Sequence, residues 1–283
     1  MIMADENWTL TIKPKRKLLD LQLRDVIRYR DLVYLFVKRD FVLQYKQTIL
    51  GPLWLVIQPL FSTIMYSFVF GNLANIGTNG VPFLLFYYSG TMLWTFFAGC
   101  FSDASNLFIN NANLFGKVYF PRLTVPISNV FSNVTKIFIQ FLLLMVFYVY
   151  YIISGAPIRG SLWIFAFPLI FAWLAALGMG VGIIISSLTT KYRDLKQLVT
   201  FALGLAMYAT PVVYPMSSIP SRFSWVNFVN PVSAPIELFR IWFYGAGSVS
   251  SAMILTSLGI TVAMLFLGLV LFNQNEQNFI DVV

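Results

Sequence analysis

The sequence predicts an all-α integral membrane protein with six transmembrane helices, an N-terminal interfacial helix and a re-entrant helical hairpin before the last span. Composition is the first observation. Only 11% of the 283 residues are charged and 58% are hydrophobic, whereas a soluble domain carries about 25% charged residues. That is too little charge to solvate a globule of this size. The second observation is a break in the charge pattern. Charge is dense up to Lys46, and the next charged residue is Asp103, so the chain leaves water for lipid near Leu50-Gly51-Pro52. The third is the placement of the basic residues. Segments before span one, between spans two and three, and between spans four and five hold ten, two and three Lys or Arg; the opposite segments hold Arg159, Arg222 and Arg240. Fifteen against three, with Lys136 set aside, puts both termini in the cytoplasm.

Residues 1–50 read as a cytoplasmic section. Trp8, Leu10 and Ile12 alternate with Thr9, Thr11 and Lys13, the period of a short strand or extended arm. Ten Lys or Arg and no long apolar core in the first fifty residues are unlike a signal peptide. From Asp31 to Gln47 the pattern is helical. Leu32, Leu35, Phe36, Val42 and Leu43 share roughly one side, yet Val33, Val37 and Phe41 do not. A helix lying in the interface, lipid on one side and protein on the other, tolerates this mixture.

Residues 51–273 form the transmembrane domain and 274–283 a cytoplasmic tail. Span one runs from Pro52 to Phe70, with Pro52 suited to a helix start and Pro59 expected to kink the interior. After an uncharged turn, Gly71 to Val81, span two covers Phe83 to Phe101. Asn106 to Arg122 is too polar to span. The third stretch is clear from Ile137 to Ile153, and its start decides the role of Lys136. A start at Ile137 lets Lys136 snorkel at the helix end; a start at Val125 makes it an intramembrane lysine in need of a partner or a wet cavity. Span four, Leu162 to Leu188, carries Gly178 and Gly182 as a small-xxx-small pair for close packing. Span five, Leu198 to Tyr214, contains Pro211; span six covers Ala252 to Phe272. Between Pro215 and Ser250 four prolines cut an aromatic-rich stretch into short pieces. One piece suits a helix capped by Ser233 or Ala234, pairing Glu237 with Arg240 and stopping at Gly245. Two half-helices with interfacial Trp and Tyr read as a re-entrant hairpin, its backbone covered by protein; an external loop is the alternative.

The chemistry the chain lacks narrows its function. It has no histidine and Cys100 is its lone cysteine, which leaves no His-based catalysis, no His/Cys metal site and no intrachain disulfide. No phosphate-cradling Gly-x-x-x-x-Gly-Lys-Ser/Thr loop occurs, so the chain itself binds no ATP in that way. No expected span holds an interior Asp or Glu, unlike ion-coupled carriers. Energy then comes from another protein. The net charge of +8 lies beside membrane entry points and suits anionic lipid rather than nucleic acid. The surface for an energising partner is placed on Asn106 to Arg122, whose exposed aromatics beside a lysine and an arginine suit a protein contact. A path through the membrane that holds its cargo weakly would be lined by aromatic faces, each worth about 1 kcal/mol against C–H groups. Of 49 aromatic residues, Tyr66, Phe70, Tyr87, Tyr88, Tyr208 and Tyr214 are the candidates, because a tyrosine in lipid needs a polar partner that a wet channel supplies.

A set of ordered motifs adds a family resemblance. Arg39-Asp40, Tyr45, Thr48, Leu50-Gly51, Trp54 and Pro59 are followed by Asn111-Ala112-Asn113-Leu114 and Lys117-Val118-Tyr119-Phe120-Pro121. Then come Tyr192-Arg193-Asp194, Pro211-Val212-Val213-Tyr214, Asn230-Pro231, Glu237 with Arg240 and Gly245, and finally Glu276, Phe279 and Asp281. In type and order these resemble the permease subunits of type-2 ABC exporters that move O-antigen, capsule or teichoic acid chains. Gly116 departs from the bulkier or basic residue usual there. The resemblance implies a homodimer in the bacterial inner membrane that works with two cytoplasmic ABC ATPase subunits, which bind the ATP and Mg, and exports a lipid-linked polysaccharide. It implies ATPase coupling at Asn110, Asn113, Leu114, Lys117, Tyr119, Phe120, Pro121 and Arg122, and an interface helix bearing Lys38, Arg39, Asp40, Tyr45 and Lys46. It also implies an outer gate from the hairpin, with Trp225, Phe228, Glu237, Phe239, Arg240 and Trp242. An ABC exporter of another lipid or drug and a membrane-embedded glycan-modifying transferase are the alternatives; the missing histidines and scarce acids disfavour the transferase.

Overall fold

Glycines set the spacing of the central helices. In the computed structural model, which describes residues 23–115, 120–189 and 194–279, helix α7 (Phe167–Thr189) is sandwiched between α4 (Phe83–Ser105) and α11 (Ser251–Phe279). A Cβ on Gly178 would lie 2.9 Å from the Phe97 carbonyl oxygen, and one on Gly182 would lie 2.6 Å from that of Phe101. Gly180, on the opposite side, meets the backbone of Leu265 at 2.7 Å. The expected Gly178/Gly182 pair therefore packs on α4, and Gly180 adds a second contact to α11. Trp173 Nε1 donates to Thr261 Oγ1 at 3.0 Å across the same α7–α11 seam.

Around this centre lie α3 (Trp54–Tyr66), α6 (Thr124–Ile153) and α8 (Leu195–Tyr208). The entry to α3 is a 3₁₀ turn, Gly51–Leu53, with Pro52 at its start, and its exit is a π-helical turn, Ser67–Leu73. Pro59 lies inside α3. Among the described residues five segments are long and apolar enough to cross a membrane: Gly51–Leu73, Phe83–Ser105, Thr124–Ile153, Leu162–Thr189 and Ser251–Gln274. Large apolar side chains such as Phe61, Ile64, Phe68, Leu142, Val146, Val262 and Phe266 are exposed along the outer helices. An apolar surface this extensive belongs in lipid or against another chain.

Two expectations change here. The third apolar helix begins at Thr124, not Ile137, because Pro126 fits a first turn and the polar residues after it face protein: Ser128, Ser132 and Asn133 are buried. Lys136 is thus a mid-helix residue. The fifth apolar helix has only 14 residues, about 21 Å at 1.5 Å per residue, short of the roughly 30 Å hydrocarbon core. It stops before Pro211, and Val212 and Val213 continue as buried irregular chain.

At the N-terminal end, α1 (Leu23–Arg28) and α2 (Arg30–Tyr45) lie against α5 (Leu107–Phe115) and the start of α6 through Val26, Phe36, Leu107, Phe108, Phe120 and Leu123. Leu35, Val42 and Leu43 of α2 remain exposed, so the helix has one protein face and one apolar outer face. The Pro215–Ser250 stretch contains α9 (Ser224–Val229) and α10 (Ser233–Tyr244). Gly245 ends α10 in the left-handed region, φ 70°, as the sequence suggested; no side chain caps its start, where Val232 holds the N-cap position. The Trp8–Lys13 arm, Lys117, Tyr119, Tyr192, Arg193 and Asp281 lie outside the described residues.

Candidate functional site

Two polar constructions stand inside the apolar bundle. The first is a cavity of about 310 Å³ between the C-terminal end of α2, α3, α4 and α6, reached also by Met207 of α8. Its polar wall comes largely from α6. Asn129, Asn133, Lys136 and Gln140 follow one another at spacings of four, three and four, the signature of one helix face, and the last three line the cavity. Gly99 of α4 has no side chain where Asn133 Oδ1 approaches, 2.7 Å from an added Cβ. Asn133 Nδ2 donates to Asp103 Oδ2 at 2.7 Å and to the Asn129 carbonyl at 2.9 Å. Gln140 Nε2 donates to the Leu55 carbonyl at 3.2 Å, joining α6 to the first turn of α3. Trp54, Tyr66 and Trp94 supply aromatic walls, and the Tyr45 hydroxyl is buried without a partner. Burial pushes the Tyr45 phenol above its ordinary pKa.

The second construction is a buried ion pair in α10. Arg240 Nη1 donates to Glu237 Oε1 at 2.9 Å and to the Pro211 carbonyl at 2.6 Å, while Nη2 donates to the Val212 carbonyl at 2.9 Å. The guanidinium carbon lies 3.7 Å from the centre of the Phe86 ring. Glu237 Oε2 accepts from Ser248 N at 3.2 Å, and the Tyr244 hydroxyl donates to the Leu85 carbonyl at 3.2 Å. Irregular backbone deep in apolar surroundings must have its carbonyls satisfied, and Arg240 does this for the chain leaving α8. Gly90 makes room: a Cβ there would meet Val212 O at 2.6 Å and Arg240 Nη2 at 2.9 Å.

The sequence-derived residues divide accordingly. Of the gate set, Glu237, Phe239 and Arg240 are buried together, Trp242 is half-buried and stacks on Trp163, and Trp225 and Phe228 are exposed on α9. Of the aromatic set, Tyr66 alone lines the cavity, with Phe70 5.9 Å away ring to ring. Tyr214 donates to the carbonyl of the exposed Tyr208 at 3.0 Å. Tyr87 and Tyr88 are enclosed in protein; a backbone carbonyl, that of Gln140 at 3.1 Å, satisfies the Tyr88 hydroxyl in place of a wet channel. On the interface helix, Lys38, Arg39 and Lys46 are exposed, and Arg39 pairs with Asp40 at 2.7 Å and covers the Phe36 ring at 4.8 Å. Tyr45 turns inward to the cavity.

In the coupling set, α5 carries Asn110, Asn113 and Leu114, with Asn110 exposed. Phe120 is not the exposed aromatic the sequence suggested: it is buried edge-on against Phe36, 5.9 Å between ring centres, beside buried Pro121 and half-buried Arg122. The cavity residues Gln58, Trp94, Asn133 and Gln140 escaped sequence reading, although the polar stripe on α6 is visible there at helical spacing.

Apolar helices around a polar cavity and a buried ion pair define an integral membrane protein whose interior is built to hold polar groups. The chain belongs to the ABC-2 type transporter family, whose model matches residues 31–244. Members of that family are permease subunits, not themselves enzymes, and pair with an ABC ATPase. Among similar proteins, an O-antigen export system permease protein RfbA of Klebsiella pneumoniae is 29% identical over 255 residues, 89% of this chain and 95% of the relative. An RfbA of Myxococcus xanthus is 23% identical over 91% of this chain and 97% of its own. The polysialic acid transport protein KpsM of Escherichia coli is 22% identical over 81% and 87%.

Proposed function

We propose that this chain is the permease subunit of an ATP-driven exporter that carries a lipid-linked polysaccharide of the O-antigen type across a bacterial inner membrane. The observation that carries this reading is the end-to-end similarity to the two O-antigen export permeases, over 89% and 91% of this chain. It includes the spans and the hairpin region together rather than one shared helix pair. Two copies pair and recruit two cytoplasmic ATPases, which supply the ATP and Mg sites. Both termini face the cytoplasm. The short α8 and the chain through Val213 make a sixth crossing, with Arg240 receiving the carbonyls its early end leaves free. α9 and α10 form a re-entrant hairpin that closes the outer end. α2 is the interface helix, and α5 with Lys117 to Arg122 meets the ATPase. Tyr66, Phe70, Tyr208 and Tyr214 offer aromatic faces to the moving glycan, backed by Tyr87 and Tyr88.

The test is the composition of the complex. A tagged chain solubilised with its native lipids is expected to bring down an ABC ATPase, with a native mass of two copies of each. Purification of the permease free of any ATPase from cells that express both would sink the reading.

A further inference from the structure

The cavity holds a charged group that the packing of the bundle does not require. Lys136 enters it from the interior of α6. The ion pairs between described residues are Arg30–Asp31, Arg39–Asp40 and Arg240–Glu237, so among the described residues no carboxylate reaches the Lys136 ammonium. Asp103, which feels its charge, accepts instead from Asn133. A lysine inside an apolar bundle whose ammonium makes no direct ion pair is costly and marks a functional site by default. The Tyr45 hydroxyl, buried and unpartnered, borders the same space. The other walls pair indoles (Trp54, Trp94) with amides (Gln58, Gln140). Flat rings present faces to the C–H side of a sugar, and amides both donate to and accept from its hydroxyls. A volume of about 310 Å³ sits at the lower end of small-molecule sites. It admits a headgroup and is too small for a polymer.

We propose that this cavity binds the phosphoryl-sugar headgroup of an anionic lipid, with the phosphoryl oxygens on the Lys136 ammonium and the Tyr45 hydroxyl and the sugar ring against the indole walls. The class of ligand follows from the cavity. That its source is the lipid-linked glycan, and not a common phospholipid, rests on the export reading.

The experiment uses the purified full-length chain in phosphatidylcholine nanodiscs, titrated with farnesyl diphosphate-linked N-acetylglucosamine. Saturable binding is expected, weakened about tenfold or more by Lys136→Met and largely kept by Lys136→Arg, the loss of one charge-assisted contact. Gln58→Leu and Tyr45→Phe, on separate helices, are expected to weaken it severalfold, and they carry the test if Lys136→Met does not fold. Phosphatidylglycerol added to the same discs is expected to compete poorly. Unchanged binding in all three weakening variants, or no saturable binding, overturns the site. Equal competition by phosphatidylglycerol overturns its sugar part. None of these outcomes involves the ATPase, so the co-purification test stands or falls separately.

Discussion

Arg240 and Glu237 form an ion pair, 2.9 Å between Nη1 and Oε1, in which neither side chain is more than 2% exposed. The pair is one turn of α10, yet its reach is long: the same guanidinium holds the Pro211 and Val212 carbonyls beyond α8 and lies on Phe86 of α4. Three elements distant in sequence are tied at one point. Removing one partner of such a pair strands a buried charge, at about 3–5 kcal/mol. Arg240→Ala and Glu237→Ala are each expected to cut membrane abundance and lower the melting temperature in detergent. Arg240→Lys should not rescue, because a lysine lacks the planar fork that serves three acceptors. Wild-type melting in Arg240→Ala would show that the carbonyls find other partners.

Gly180 supplies a second structural prediction. A Cβ there would sit 2.7 Å from the Leu265 backbone, and one on Gly268 would sit 2.7 Å from the Gly180 carbonyl oxygen. Overpacking of this kind costs about 1–3 kcal/mol, so Gly180→Val should destabilise the α7–α11 seam. Gly259→Ala, with nothing within 4 Å, is the matched control and should melt as wild type. Equal melting of Gly180→Val and the control would remove the close approach from the account.

What the sequence made legible was local. The Glu237–Arg240 spacing, the Gly245 stop and the Gly178/Gly182 pair each depend on residues within one or two turns, and each is found. The start of α6 was ambiguous because polar residues such as Ser128 and Asn133 lower the apolar signal, and only the burial of Ser128 and the contact of Asn133 with Asp103 of α4 explain why they belong to the helix. Phe120 could not be read as buried, since its cover, Phe36, comes from a distant helix. Tyr88 was open to misreading for a related reason: its hydroxyl bonds to a carbonyl of α6, which no pattern in α4 announces. The early end of α8 was signalled by Pro211, but the side chain that compensates for it lies on α10.

The proposed topology makes a chemical prediction. In a Cys100→Ala background, cysteines at Gly77, Ser154 and Ser218, all exposed, should react with an impermeant maleimide from outside intact spheroplasts. Labelling at any of the three only after the membrane is opened would overturn the six-crossing arrangement.

The proposed coupling surface is tested on the exposed side of α5. Ile109 and Asn110 are both exposed there, and a charge in the apolar part of a contact disfavours it. Ile109→Glu with Asn110→Glu is expected to reduce ATPase co-purification about tenfold, a loss of about 1.4 kcal/mol, while the permease stays in the membrane. Undiminished recovery of the ATPase would move the contact elsewhere.

The most direct measurement is the fate of the glycan when the chain is removed. Deleting its gene should abolish surface polysaccharide while the same polymer, still attached to its lipid, accumulates at the cytoplasmic face of the inner membrane. Restoring the wild-type chain should return the polymer to the surface, and restoring it beside an ATPase unable to hydrolyse ATP should not. Full-length surface polysaccharide in the deletion strain, with no internal accumulation, would contradict the account.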